Sequence, residues 1–305
     1  MKLLVKISIL VLLSVGSLAA QDKIQVVTKT INQSFGLAAT ESLRIDAEKA
    51  KISIQGWDQD EVKLVLKLVA KHPDRAIAEG ELSALRYHIA TEGTEKIIKN
   101  YFRLTEGVTA IAGNLLAEYE LWIPHNRHVT ISNRYGNSTL SDWQATLAIA
   151  TEFGEIHLER ITGAISLDVA YGDVTTVRTR GSITGTTRKS NLDLYELDGT
   201  LSLESSYGKI NVTTQDQLQK LTIDASRTEV TFATLDPMRY HYQLTTSADP
   251  IRVPVPGTWD NEQGFISRHS FATPDTTLPS VIIHTTFSPI TVNFLHHETL
   301  RSHRP

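Results

Sequence analysis

Glycine recurs in this chain on a fixed step, and that step limits the fold more than any other feature. Tyr135-Gly136-Asn137 is followed by Phe153-Gly154-Glu155, Tyr171-Gly172-Asp173 and Tyr207-Gly208-Lys209, so the glycines advance by 18, 18 and 36 residues. The vacant place falls at Lys189-Ser190-Asn191, in register but with serine for glycine. A second series, Gly163, Gly181 and Gly199, also steps by 18, nine residues after members of the first. Alternating apolar pairs follow both series: Ile156/Leu158, Leu192/Leu194 and Ile210/Val212, with a weaker Val174/Thr176, and then Ile165/Leu167, Ile183 and Leu201/Leu203.

Alternation of this kind is a strand with one buried face. Glycine before the strand supplies the backbone freedom of a tight corner. A strand this short cannot bury its face alone, whereas stacked copies share one continuous core. The expected fold is therefore all-β, a single-stranded parallel β-helix (β-solenoid) with about 18 residues per coil, each coil made of two nine-residue halves. An antiparallel sandwich or barrel also gives short strands at regular spacing. Its hairpins vary in length, however, and constant registration favours parallel stacking.

Around the repeat the pattern changes. Leu43/Ile45 and Ile52/Ile54 read as short strands, Gln55-Gly56-Trp57-Asp58 as a turn, and Val62 to Leu68 as a half-buried strand. A short amphipathic helix is expected within Pro73–Leu85, opened by Pro73-Asp74. Strands follow at Arg86–Ala90 and Tyr119–Ile123, the latter stopped by Pro124. Downstream, Ser226 falls in the glycine column and Ala225 in the aromatic one, but the pair Val230/Phe232 arrives two residues late. Residues 236–280 are rich in Pro, Thr and Ser and read as loop, and Phe287–Val292 reads as a last copy or a capping strand. The expected organisation is a β-rich cap at 21–124, repeats at 125–235, a loop-rich region with final strands at 236–295, and a frayed tail at 296–305. The two flanking regions are expected to cover the open ends of the stack, which would otherwise expose unpaired strand edges.

The first twenty residues read as a signal peptide. Lys2 and Lys6 precede the apolar run Ile7–Val15, small residues at Ala19-Ala20 suit cleavage, and Gln21-Asp22-Lys23 turns polar. The run is shorter than the roughly 20 apolar residues a membrane span needs, and no later segment is long enough. Cleavage would leave 28 basic against 34 acidic residues, near −6. With no basic cluster, nucleic acid is not an expected partner. The chain has no cysteine, which removes disulfides, thiolate metal sites and thiol nucleophiles.

Two columns carry the candidate chemistry. Tyr135, Phe153, Tyr171 and Tyr207 align at the repeat step, with Lys189 in the gap. Coils stack about 4.8 Å apart, so the rings can form a ladder. Such a ladder either holds a sugar chain by ring stacking or staples the coils by covering the glycine corners. Glu155, Asp173, Asn191 and Lys209 form a column whose charge changes sign, the pattern of a solvated, self-compensating ladder. Asp193 and Asp198 also recur on the coils, where carboxylates in some β-helix enzymes hold calcium or cleave polysaccharide; the histidines are scattered, and His296, His297 and His303 in the tail lack a metal-ligand spacing. No P-loop, dinucleotide fingerprint or Ser-His-Asp constellation is visible, and no cofactor is expected.

The segment Ile52–Val62, the strand closing at Pro124 and the recurrent Tyr/Phe-Gly units resemble exported bacterial adhesin-like families of unknown function, common in Bacteroidetes, over roughly residues 40–295. The resemblance implies a right-handed β-helix in the periplasm or on the outer surface of a Gram-negative cell. It carries no catalytic residues. The expected function is that of an exported, non-enzymatic binding or scaffold protein of the cell envelope, its partner a glycan or an envelope protein. The alternative is a carbohydrate-active β-helix enzyme acting on polysaccharide. A third reading, an accessory of envelope signalling, has no residue to carry it.

Overall fold

The structure, a computed structural model, describes residues 23–104, 109–215 and 217–295. The expected leader at 1–20 and the histidine-bearing tail from 296 onwards lie outside the described residues. The N-terminal region holds β1 (Gln25–Gly36), β2 (Ser42–Glu48), β3 (Ala50–Trp57), β4 (Glu61–His72), β5 (Leu85–Glu92), β6 (Glu95–Phe102) and β7 (Asn114–Pro124), with helix α1 (Arg75–Leu82) between β4 and β5. The middle is β8 (Val129–Arg134), β9 (Ser138–Trp143), β10 (Leu147–Glu152), β11 (Ile156–Ala170), β12 (Val174–Thr214) and β13 (Leu218–Thr234). β14 (His241–Ser247), β15 (Ile251–Arg252), β16 (Thr258–Glu262), β17 (Arg268–Ala272), β18 (Ser280–Thr286) and β19 (Ile290–Phe294) follow. The protein is all-β, with these strands joined in one mixed sheet.

In the middle the pairing is parallel and keeps the step of the sequence. Leu147 pairs with Val129 on one side and Ile165 on the other. Ile156 likewise lies between Ser138 and Val174. Within the long β12 the same step reappears in side-chain bonds, Asn211 Nδ2 donating to Asp193 Oδ1 at 2.8 Å and Thr187 Oγ1 to Ser205 Oγ at 2.9 Å. Each layer has two arms, and each arm turns alternate residues inward, as β10 does with Leu147, Ile149 and Thr151. The inward columns Ile156/Val174/Leu192/Ile210 and Ile165/Ile183/Leu201/Leu221 are all 1% exposed or less. This continuous column packing holds the stack together, because no single arm could bury its own face.

The corners are made differently from the expectation. Left-handed backbone falls on Tyr135, Phe153, Tyr171, Lys189 and Tyr207 (φ 52–63°) and on Asp142, Arg160, Arg178 and Glu196 (φ 53–58°). The residue before the glycine therefore makes the turn, and Gly136, Gly154 and Gly172 serve another purpose. A Cβ at Gly154 would overlap the carbonyl of Gly136, and one at Gly172 the carbonyl of Gly154. Close approach of successive layers, rather than φ, requires glycine there. The second series does adopt positive φ, at 134°, 129° and 109° for Gly163, Gly181 and Gly199.

The slip after residue 199 is a bulge. Gly199 pairs with Leu218 and Thr200 with Lys220, so the step becomes 20. Arg227, not Ala225, then lies over Tyr207, and Thr228, not Ser226, lies over Gly208. Val230 and Phe232 return to their places over Ile210 and Val212.

Both ends depart from pure parallel stacking, which is why the sheet is mixed. β18 and β19 pair in parallel with β13 on one side and with β14 and β15 on the other. The segment read as a last copy or cap is thus a copy in an interior layer, inserted beneath a layer that precedes it in the chain. Antiparallel β17 and β16 continue beyond β14. The stretch read as loop supplies β14–β17; its prolines sit mostly between strands, while Tyr242, Leu244 and Thr246 alternate inward. At the other end β2 and β3 lie on β8 and β9, and β6 and β7 lie on β2 and β3. Antiparallel β4 and β1 extend from β7, and β5 from β6. α1 is capped by Asp74, whose Oδ1 accepts from Ala76 N at 2.7 Å, and it buries Ala78. β3 runs straight through Gln55-Gly56-Trp57, so the turn expected there comes later, at Asp58–Asp60.

Candidate functional site

The aromatic corner brings three of the four expected residues together. Tyr135 and Phe153 stack at 5.2 Å with planes 5° apart, and Phe153 and Tyr171 at 4.8 Å and 12°. Tyr207 does not join them. Lys189 intervenes, its Nζ 5.2 Å from the Tyr171 ring centroid, and the Arg188 guanidinium lies 5.0 Å from the same ring. Tyr207 belongs instead to a second group. Arg227 lies 5.3 Å from its ring and 5.7 Å from that of Phe287, and donates from Nη1 to the Tyr207 hydroxyl at 2.7 Å. The column is a ladder of rings and cations in which Phe153 has a ring on each face. Phe153 and Tyr171 have both ring faces occupied, whereas a sugar stacks on an open ring face.

The acid column behaves as a surface ladder. Asn137 Nδ2 donates to Glu155 Oε2 at 2.9 Å, Asn191 N to Asp173 Oδ1 at 3.0 Å, and Lys209 pairs with Glu229 at 3.3 Å. Among the described residues no group of three His, Asp or Glu side chains is placed to hold a metal, and no helix is long and apolar enough to cross a membrane.

A different feature dominates the second left-handed corner. A groove of about 890 Å³ runs along the stack beside it. One wall is the column Asp142, Arg160, Arg178 and Glu196; the other is Gln144, Thr162, Arg180 and Asp198, two positions further along each layer. Gln215 and Gln217 close one end, and Trp57, Asp58 and His125 the other. The backbone sets this geometry. The left-handed residues turn the chain at this corner, which places the residue two positions on across the groove from each of them. Gly56 allows β3 to close the end, since a Cβ there would overlap the carbonyl of Asp142.

Each groove arginine has a carboxylate partner. Arg160 Nη2 donates to Asp142 Oδ2 at 2.7 Å, and Gln55 Nε2 to the same oxygen at 2.6 Å. Glu159 accepts from both Arg160 and Arg178. Arg180 reaches Asp198 at 3.5 Å while its side chain stays 75% exposed. The Arg160 guanidinium holds the Asp142 carboxyl below the usual carboxylate range, against the opposing effect of partial burial and with help from Gln55. Asp142 in turn raises the Arg160 guanidinium. At the closed end His125 Nδ1 lies 3.1 Å from Asp58 Oδ1, and Trp57 Nε1 donates to the Glu61 carbonyl at 2.8 Å, which fixes the half-buried indole.

Both groove columns were legible as an 18-residue period, at 142, 160, 178 and 196 and at 144, 162, 180 and 198. Their residue types vary from rung to rung, so a search for one repeated type passes over them.

No protein-family model matches the chain, and no curated protein matches it. Solved structures are similar. A putative adhesin from Bacteroides fragilis aligns with TM-score 0.45 and 10% identity over 88% of this chain and 97% of that one. A putative adhesin from Parabacteroides distasonis aligns with TM-score 0.41 and 8% identity over 88% and 97%. A putative cell adhesion protein from Clostridium sporogenes covers 88% of this chain and 100% of its own at 9% identity and TM-score 0.28.

Proposed function

We propose that this chain is an exported, non-enzymatic β-helical protein of the bacterial cell envelope whose polar groove holds an extended partner lying along the stack. The observation that carries the reading is the groove itself. Its walls are side-chain columns contributed by successive layers, so it repeats along the stack axis and suits a ligand that also extends along it. The middle layers are taken as coils of a right-handed parallel β-helix, with residues 21–124 and 236–295 closing its ends. Residues 1–20 are taken as a leader removed on export, which leads to the periplasm or the outer surface of a Gram-negative cell. In this reading Tyr135, Phe153, Tyr171 and Tyr207 staple the coils.

The absence of cysteine makes the test direct. Thr162→Cys, in the groove, and Thr186→Cys, on another exposed arm, each carry a photocrosslinker on otherwise native protein. Crosslinking to envelope material is expected from position 162 and not from 186. Equal capture at both positions would sink the groove reading.

The second reading, polysaccharide cleavage, is favoured by the presence of Asp142, Glu196 and Asp198 in the groove. Cleavage needs a carboxyl that keeps its proton near neutral pH to serve as general acid. The Arg160 partner moves Asp142 the other way. Incubation of the protein with soluble polysaccharides should release no reducing ends; sustained release would replace the binding reading with the enzymatic one.

A further inference from the structure

We infer that the groove takes a linear, neutral, hydroxyl-rich glycan, with Trp57 as a stacking platform at one end. This rests on the groove-binding reading above and names its ligand class.

The first argument is length. The groove draws residues from β3 at one end, through the layers of Asp142, Arg160, Arg178 and Glu196, to Gln217 at the other. Layers about 4.8 Å apart make this roughly 24 Å of continuous polar surface. That accommodates several sugar units, whose length along a chain is similar to the step between layers. Charge is the second argument. Arg160, Arg178 and Arg180 each already face a carboxylate, so a polyanion finds no unmatched cation. Displacing those carboxylates would leave them against the polymer's own negative charge.

The third argument is hydrogen-bond chemistry. Gln144, Thr162 and Gln217 are exposed in the groove, and each both donates and accepts. Sugar hydroxyls need that pairing. Trp57 complements them. Its N–H is already used on Glu61, so what the ring offers is its apolar face, the surface on which a pyranose ring packs. An extended peptide is less well served. It would need a free strand edge to add to, and the strands flanking the groove, such as β9 and β11, are paired on both sides.

Native affinity electrophoresis tests the inference, with gels containing cellulose-type, laminarin-type, starch-type or mannan-type soluble glycans, polygalacturonate, or no polymer. The native chain should be retarded by at least one neutral glycan and not by polygalacturonate. Trp57→Ala should weaken that retardation about tenfold, equivalent to ~1.4 kcal/mol. Gln144→Ala/Gln217→Ala, wholly on the surface, should weaken it comparably with an unchanged melting temperature, so the test survives if the tryptophan variant fails to fold. Retardation by polygalacturonate alone, lost in the same variants, would overturn the ligand class and leave the groove reading intact. Retardation by a neutral glycan that neither variant reduces would overturn both. No retardation by any neutral glycan would overturn the inference, and the crosslinking comparison of positions 162 and 186 would then decide the groove reading separately.

Discussion

Two columns of left-handed residues run up this molecule seven residues apart, and they do opposite things with the same backbone. Each holds non-glycine side chains at φ near 55–60°, a conformation that costs about 1–2 kcal/mol per residue. At the aromatic corner the following residue is glycine, at 136, 154, 172 and 208, because the layers touch there. At the charged corner it is a buried side chain, Trp143, Ile161, Thr179 or Leu197. The rings lie nearly parallel to one another and use their faces on each other. The charged residues pair at their ends and leave hydrogen-bonding capacity along a groove. In the proposed function, stapling and binding separate onto these two corners of one repeat.

The comparison breaks most sharply at the residue after each corner. Ile161→Ala empties a buried place between Trp143 and Thr179 and should cost about 2–5 kcal/mol in urea unfolding. Gly154→Ala keeps an allowed φ but drives a methyl into the Gly136 carbonyl, at about 1–3 kcal/mol. If Gly154→Ala were neutral, close approach would not be the reason for that glycine column. Phe153→Ala removes ring contacts on both faces, each worth about 0.5–1.5 kcal/mol. Phe153→Gly removes the same contacts and also the left-handed strain, so it should be less damaging than alanine. A ladder without structural value would leave Phe153→Ala as stable as the parent and make Phe153→Gly more stable than it. The smallest effect has the opposite sign. Thr179 is 1% exposed and its hydroxyl has no partner. Thr179→Val should therefore be neutral or stabilising by up to about 1 kcal/mol, since burying an unpaired hydroxyl is unfavourable. A clear loss of stability would show that the hydroxyl is satisfied in solution.

The repeat was legible because layers that lie over one another must place glycines and apolar pairs at equal spacing. Gly136, Gly154 and Gly172, with Ile156 and Leu158 after them, carry that requirement in residue type. What made the glycines necessary was not legible. Sequence reasoning gave them the turn, whereas Tyr135, Phe153 and Tyr171 make it and the glycines only clear the neighbouring carbonyl. The mixed ends were hidden for a different reason. β18–β19 looks like any other copy, and nothing local in Ser280–Phe294 says that it enters the stack beneath β14–β15. The position of that layer depends on contacts with both β13 and β14 rather than on its own sequence. Three members of the aromatic column were placed together as expected. Tyr207 was not, because Lys189 ends the stack and the two-residue bulge brings Arg227 over it. The groove went unread since Asp142, Arg160, Arg178 and Glu196 share a backbone role and a period but no residue type.

The most direct measurement is a glycan-array profile of the protein beside two variants. One is Arg180→Ala/Gln217→Ala in the groove; the other is Tyr135→Ala/Phe153→Ala/Tyr171→Ala in the ladder. If binding and stapling are divided between the two corners, the groove variant loses the native profile and keeps its melting temperature, while the ladder variant melts lower and keeps its profile. A ladder variant that stays as stable as the parent but loses its glycans, beside a groove variant that still binds them, would contradict that division and make the rings the ligand site.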